Sequence, residues 1–253
     1  MSFVCNITGN RFDLDDNEKS RELGGRFGYN ARFRAICYVF CKLFYGECKI
    51  FDTLEENKTL KGIGITDSGW TNMFEQKFDY TNTICNTSSN LNIYDDTVIK
   101  KYNELDFIIS SETFNHIEPY PSLQKAFNNL FKMLKCGGSI VFSVPYSLNE
   151  HIEYFPNLYK YKIVNKKGKQ LLHNKTKNNK TEVFDNLCFD GGDGNGFVMR
   201  IFSKKSITSF LETAGFVDIT FYSIDDDMKK YGIFWREGGS ENCGLIISAK
   251  RPN

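Results

Sequence analysis

The stretch "LDFIISSETFNHIEPYPSLQKAFNNLFKMLKCGGSIVFSVPY" (Leu105–Tyr146) decides the fold. Residues 105–110 read as a buried strand, because an apolar run this short suits a strand better than a helix. Residues 121–138 predict an amphipathic helix with Leu123, Phe127, Leu130, Phe131 and Leu134 on one face, closed by Gly137 and Gly138. A second buried strand follows at 139–146. Two apolar strands joined by a helix are the mark of a parallel sheet covered on both faces.

Working outward, the alternation of strand and helix continues on both sides. Upstream, "KIFDTL" (49–54) predicts a short strand, 60–66 a second, 68–77 a helix and "FDYTNTIC" (78–85) a strand. Before them, 31–46 predicts a helix. Phe33, Ile36, Cys37, Phe40 and Phe44 recur at helical spacing, with Asn30 as N-cap and Gly46 as C-cap. Downstream of Pro145 the rhythm breaks. Residues 151–197 are rich in Lys, Asn and Gly. Their turn signals at Lys167-Gly168 and Asn178-Asn179 predict a β-hairpin or meander insertion. Regularity returns with a helix at 203–216, from an N-cap at Ser203 to a C-cap at Gly215, and strands at 217–224 and 244–250. The expected organisation is an N-terminal helical segment or lid (1–48) and one α/β domain (49–253) carrying the insertion.

Composition bounds the function. A net charge of +1 over 253 residues gives no global attraction to nucleic acid or membrane. The sequence holds no apolar run long enough for a transmembrane helix and no secretory signal at its N-terminus, so a cytoplasmic setting is expected. Eight cysteines without a CxxC pair point to free thiols, and no metal site is expected.

"LKGIGITDSGW" (Leu60–Trp70) reads as a strand entering a helix over a small-residue loop. Such loops sit at the carboxyl edge of a parallel sheet and receive phosphates, dinucleotides or S-adenosylmethionine. A P-loop needs a lysine that is missing here, and only Gly62-x-Gly64 of a GxGxxG is present. The pair alone leaves the ligand open.

Taken together, "LKGIGITDSGW", "FDYTNT", "LNIYD", the 105–146 stretch and the tail "RIFSKKSITSFLETAGFVDI" resemble the class I S-adenosylmethionine-dependent methyltransferases. The branch resembled is one found with surface-polysaccharide (capsule) modification enzymes. The resemblance implies a Rossmann-like, seven-stranded, mostly parallel sheet. It implies S-adenosyl-L-methionine as cofactor and O-methylation of a small polar or anionic acceptor: a sugar, a sugar nucleotide or a phosphate or phosphoramidate precursor. Membrane and nucleic-acid partners are not expected. The cofactor positions carried over are Gly62, Gly64, Thr66, Asp67, Asn82, Asn92, Ser110, Ser111 and Glu112. Thr66 and Ser68 stand where the family has glycines, and Asn82 stands where it has an acid for the ribose diol. Asp67 is either an ammonium contact or a helix cap.

For chemistry, His116 and Asp190 are the candidate bases. Arg26, Arg32, Arg34, His151 and Tyr154 are candidate acceptor contacts, the arginines because a guanidinium grips phosphate or carboxylate through two bonds. Two rivals stand beside this. An RNA or protein methyltransferase predicts a continuous basic groove leading to Ser111. A non-catalytic class I domain predicts no cofactor binding.

Overall fold

In the computed structural model the described residues are 2–14, 27–65, 72–83, 93–118, 122–190, 196–234 and 244–253. The central sheet contains β3 (Asn57–Ile65), β4 (Phe78–Asn82), β5 (Leu105–Ser111), β6 (Leu134–Pro145), β14 (Val217–Tyr222) and β15 (Gly244–Lys250), in the order β14-β15-β6-β5-β3-β4. The pairs β3–β4, β3–β5 and β5–β6 are parallel, while β15 runs antiparallel to both of its neighbours. Seven strands were expected; six are present among the described residues.

Helices cover both faces. On one side α1 (Ala31–Tyr45) lies over the sheet. On the other lie α4 (Ser122–Met133) and α5 (Lys204–Ala214). Alternation along β3 divides its residues between them: Ile63 and Ile65 enter the α4/α5 core, while Gly62 and Gly64 face the α1 core. Phe40 of α1 shows what holds that side. Its ring lies 4.7–6.1 Å from those of Phe44, Phe51, Phe74, Phe78 and Phe107. Burying one such side chain contributes about 1.5–3 kcal/mol.

The predicted caps form. The Phe33 amide donates to Asn30 Oδ1 at 2.8 Å, and Gly46 closes α1 in the left-handed region. Ser203 and Ser206 make a reciprocal capping box at the start of α5, and Gly215 ends it. Two boundaries differ from expectation. "KIFDTL" holds a 3₁₀ turn at Phe51–Thr53, because the Thr53 amide and hydroxyl both return to the Ile50 carbonyl and the Phe51 and Asp52 amides donate to the Asn6 and Ile7 carbonyls. The helix expected to run to Gly138 stops at Met133. Leu134 already pairs with Leu105, and the Gly137 amide donates to the Arg251 carbonyl at 3.0 Å, so this segment joins the sheet.

Short elements complete the chain. β1 (Ser2–Val4) and β2 (Arg11–Asp13) form an N-terminal hairpin. The short helices are α2 (Asn72–Lys77), α3 (Thr97–Lys101) and α6 (Asp226–Lys229). The insertion is a three-stranded antiparallel meander of β8 (Lys160–Lys166), β9 (Lys169–Lys175) and β10 (Thr181–Phe184). Lys167 and Gly168 both have positive φ in the first turn, as a two-residue hairpin requires. Two small ladders flank it: β7 (Ile152–Glu153) with β13 (Arg200–Ile201), and β11 (Phe189–Asp190) with β12 (Gly196–Phe197). Among the described residues no helix is long and apolar enough to cross a membrane.

Candidate active site

The chain leaves β3 for β4 on one side and returns to β5 on the other, so the strand order reverses between β3 and β5. In open α/β sheets that reversal opens a crevice at the carboxyl ends of the strands. Here its floor is Gly64 and Ile65 of β3, Asn82 of β4, and Ser110 and Ser111 of β5, with Ser110 in register with Ile65. Two threonines fasten the end of β3. The Thr83 amide and hydroxyl donate to the Gly64 carbonyl at 2.7 and 2.8 Å, and the Thr113 hydroxyl donates to the Ile65 carbonyl at 2.7 Å. The carboxyl end of β3 at Gly64 and Ile65 is therefore held at a fixed point.

Glu112 closes β5 in an unusual state. Its φ is +53°, and its side chain is buried with both carboxylate oxygens out of solvent. A left-handed backbone at a non-glycine residue costs of order 1–3 kcal/mol, and such strain clusters at ligand sites. The strain is held by the Glu112 amide, which donates to the Ser143 carbonyl (3.1 Å) and hydroxyl (3.2 Å) of β6.

Gly62 and Gly64 serve the core as well as the loop. A Cβ at Gly62 would fall 2.3 Å from the Phe107 ring, and one at Gly64 would fall 1.7 Å from the Tyr80 hydroxyl and 2.8 Å from Asn82 Oδ1. Aromatic packing alone therefore demands glycine at both positions.

Beyond Glu112 the chain is stitched to the end of the insertion. The Met199 amide donates to the Asn115 carbonyl at 2.8 Å, and Arg200 Nη1 donates to the Phe114 carbonyl at 2.7 Å. His116 Nδ1 lies 3.0 Å from the Phe197 carbonyl, and the Asn115 amide group lies 3.1 Å from His116 Nε2. A carbonyl only accepts, so Nδ1 carries the proton and Nε2 receives the Asn115 N–H. A base at His116 would have to exchange that partner for the acceptor.

Arg200 itself is fully buried and grips Glu153 through Nε (2.7 Å) and Nη2 (3.0 Å). His151 Nε2 lies 3.5 Å from the same carboxylate, and its ring packs on Phe202. Burial raises the Glu153 carboxyl, but the hydrogen bonds from His151 and Arg200 outweigh it and leave it below the usual carboxylate range. Neither Arg200 nor Glu153 stood out as a functional residue in the sequence, although a lone arginine in the apolar run "FVMRIF" is a signal of a buried pair.

The candidate acceptor contacts divide. Arg34 is fully buried and donates to the carbonyls of Tyr29 and Gly232, with its guanidinium over the Phe3 ring at 4.8 Å. Burial pulls it down to about 10, so it stays charged at neutral pH. Those bonds tie α1 to the turn at Gly232, and Arg34 is corrected from acceptor contact to framework residue. Arg32 is half-buried in the first turn of α1, and Tyr154 is half-buried with its amide donating to the Met199 carbonyl at 2.9 Å. Thr66, Asp67, Asn92 and Arg26 lie outside the described residues, as does the side chain of Asp190.

The chain matches no known protein-family pattern and no curated protein. Among solved structures it is similar to the sugar N-methyltransferase KedS8 from Streptoalloteichus (10% identity, TM-score 0.47, 88% of this chain and 87% of that one). It is also similar to an S-adenosylmethionine-dependent methyltransferase from Clostridium acetobutylicum (12%, 0.42, 87% and 99%). A third is the 1,6-didemethyltoxoflavin-N1-methyltransferase of Burkholderia thailandensis, solved with bound 1,6-didemethyltoxoflavin and S-adenosylhomocysteine (11%, 0.40, 76% and 71%). Likeness at this level decides neither cofactor nor reaction.

Proposed function

We propose that the chain is an S-adenosylmethionine-dependent methyltransferase that methylates an oxygen of a small, polar, anionic acceptor, in the context of surface-polysaccharide biosynthesis. The observation that carries this is the crevice between β3 and β5, where a buried carboxylate in strained backbone, Glu112, stands beside Ser110, Ser111 and the end of β3. A buried anion at a ligand edge suits a cationic ligand. The resemblance of residues 60–146 to class I methyltransferases implies that the cation is the sulfonium of S-adenosylmethionine.

The donor set fits that ligand. Asn82, half-buried and leaning toward Gly64, would hold the ribose diol. Asn92 would meet the adenine edge, and Thr66 and Asp67 the amino-acid end, with Asp67 receiving the ammonium. Glu112 and Ser111 would face the positive charge. When bound, S-adenosylmethionine supplies a methyl group on a sulfonium. The chain's share is to hold the acceptor oxygen in line and take its proton. His116 Nε2 is the assigned proton acceptor, with Asp190 as the second candidate. Arg26, Arg32, His151 and Tyr154 are assigned to the acceptor.

Calorimetric titration with S-adenosylhomocysteine tests this. Saturable binding that is weakened in Asn82→Ala supports it. Absence of binding at about millimolar ligand supports a non-catalytic domain instead.

A further inference from the structure

One face of the insertion meander gathers Lys160, Lys162, Lys175 and His173. Residues 151–188 hold eight lysines and three carboxylates, a surplus of +5 on a chain of net charge +1, so the remaining residues sum to −4. On that face Lys160 is in register with Lys175, and Lys162 with His173. Lys160 and Lys175 are like charges directly opposite each other, which destabilises an antiparallel pair. Among the described residues none of the three lysines has an ion-pair partner. The β8–β9 pairing itself gains nothing from that placement.

These residues line a concavity of about 560 Å³, with Tyr159, Tyr161, Asn174, Thr181 and Glu118. Small-ligand sites run to roughly 300–1,000 Å³. Tyr159 is half exposed, and its ring has Lys160 Nζ at 5.6 Å and Lys177 Nζ at 5.9 Å. Both cations lie over the ring, so a base stacked there takes the place of one of them and keeps the other beside its phosphates. The acid on the wall, Glu118, accepts from the Tyr161 hydroxyl at 2.8 Å, and burial and this bond push the phenol up to about 12, so it remains a donor. Glu118 follows Glu112 by six residues along the chain, which joins the concavity to the candidate active site.

We infer that this concavity binds the nucleoside diphosphate portion of an activated acceptor, with the base on the Tyr159 ring and the diphosphate on Lys160, Lys162, Lys175 and His173. The use of the site rests on the transferase reading; the binding does not. A lone phosphate needs no aromatic platform. A nucleic acid chain needs a basic surface that continues past the concavity, and the rest of this molecule is net acidic.

The test is a calorimetric titration of the full chain with ADP, UDP, CDP and dTDP, with pyrophosphate and a single-stranded oligothymidylate as controls. At least one nucleoside diphosphate should saturate. Lys160→Gln/Lys175→Gln should weaken it by about tenfold or more, the loss expected for charge-assisted contacts. Tyr159→Ala should weaken the nucleotide and leave pyrophosphate unchanged. Absence of saturation by all four at about millimolar concentration, unchanged affinity in the double variant, or tighter binding of the oligothymidylate overturns the inference. Titration of the same sample with S-adenosylhomocysteine separates the two claims: its binding without nucleotide binding defeats this inference alone, and the converse defeats the transferase reading alone.

Discussion

Tyr80 and Phe107 stack with ring centroids 5.9 Å apart and planes 11° apart, across Gly62, which pairs with both. Their strands lie on either side of β3, two strand spacings or roughly 9.5 Å apart. The rings close that gap only because the residue between them has no side chain. Gly62→Ala is therefore expected to lower stability by about 1–3 kcal/mol, the usual cost of overpacking. Urea unfolding measures this, and Phe107→Leu in the same chain should recover part of the loss. A Gly62→Ala protein as stable as the parent would contradict the packing account.

Arg200 and Glu153 form a buried pair that fastens the insertion to the segment after β5. Removing one partner strands the other charge, so Arg200→Met should cost about 3–5 kcal/mol. The double variant Arg200→Met/Glu153→Leu should regain much of it, because two apolar groups leave no charge unsolvated. Equal losses in single and double variants would show that the pair's charges do not matter.

The same pair sets a pH dependence. The Glu153 carboxyl lies lower in the folded chain than its ordinary value of 4.5. A carboxyl depressed by folding adds stability that is complete above its unfolded pKa and lost as pH falls through the folded one. Parent stability should thus fall more steeply than that of Glu153→Gln below about pH 4.5. Parallel pH profiles for the two proteins would refute this.

Glu112 separates stability from binding. Glu112→Gly relieves the φ of +53° and removes a buried carboxylate. The variant should melt no lower than the parent, since relief of about 1–3 kcal/mol offsets the entropy glycine adds to the unfolded chain. It should bind S-adenosylhomocysteine about tenfold more weakly or worse. Parent-like affinity would remove Glu112 from the cofactor site.

Local signals were legible wherever one short segment held the whole interaction. Asn30 and Gly46 mark the ends of α1, and Lys167-Gly168 marks its hairpin, because a cap or turn is decided by its own few residues. The strand–helix–strand of 105–146 was legible for the same reason, apart from the start of β6. There Leu134 to Gly138 look like a helix end until Leu105 and Arg251 are brought beside them. In the sequence the glycines of β3 show no packing partner, because the rings that require them come from β4 and β5. Arg34 looked like an anion contact because its carbonyl partner at Gly232 lies 198 residues away. The acceptor side stayed least legible, since Arg200, Glu153, Phe114 and His116 meet only in the folded chain.

The central claim is that the crevice between β3 and β5 holds S-adenosylmethionine, and the most direct measurement is a calorimetric titration of the chain with S-adenosylhomocysteine. The account predicts a single saturable site whose affinity falls by about tenfold in Asn82→Ala and rises in Asn82→Asp, where a carboxylate returns to the ribose diol. No binding at about millimolar ligand, or an affinity indifferent to both changes at Asn82, would contradict it.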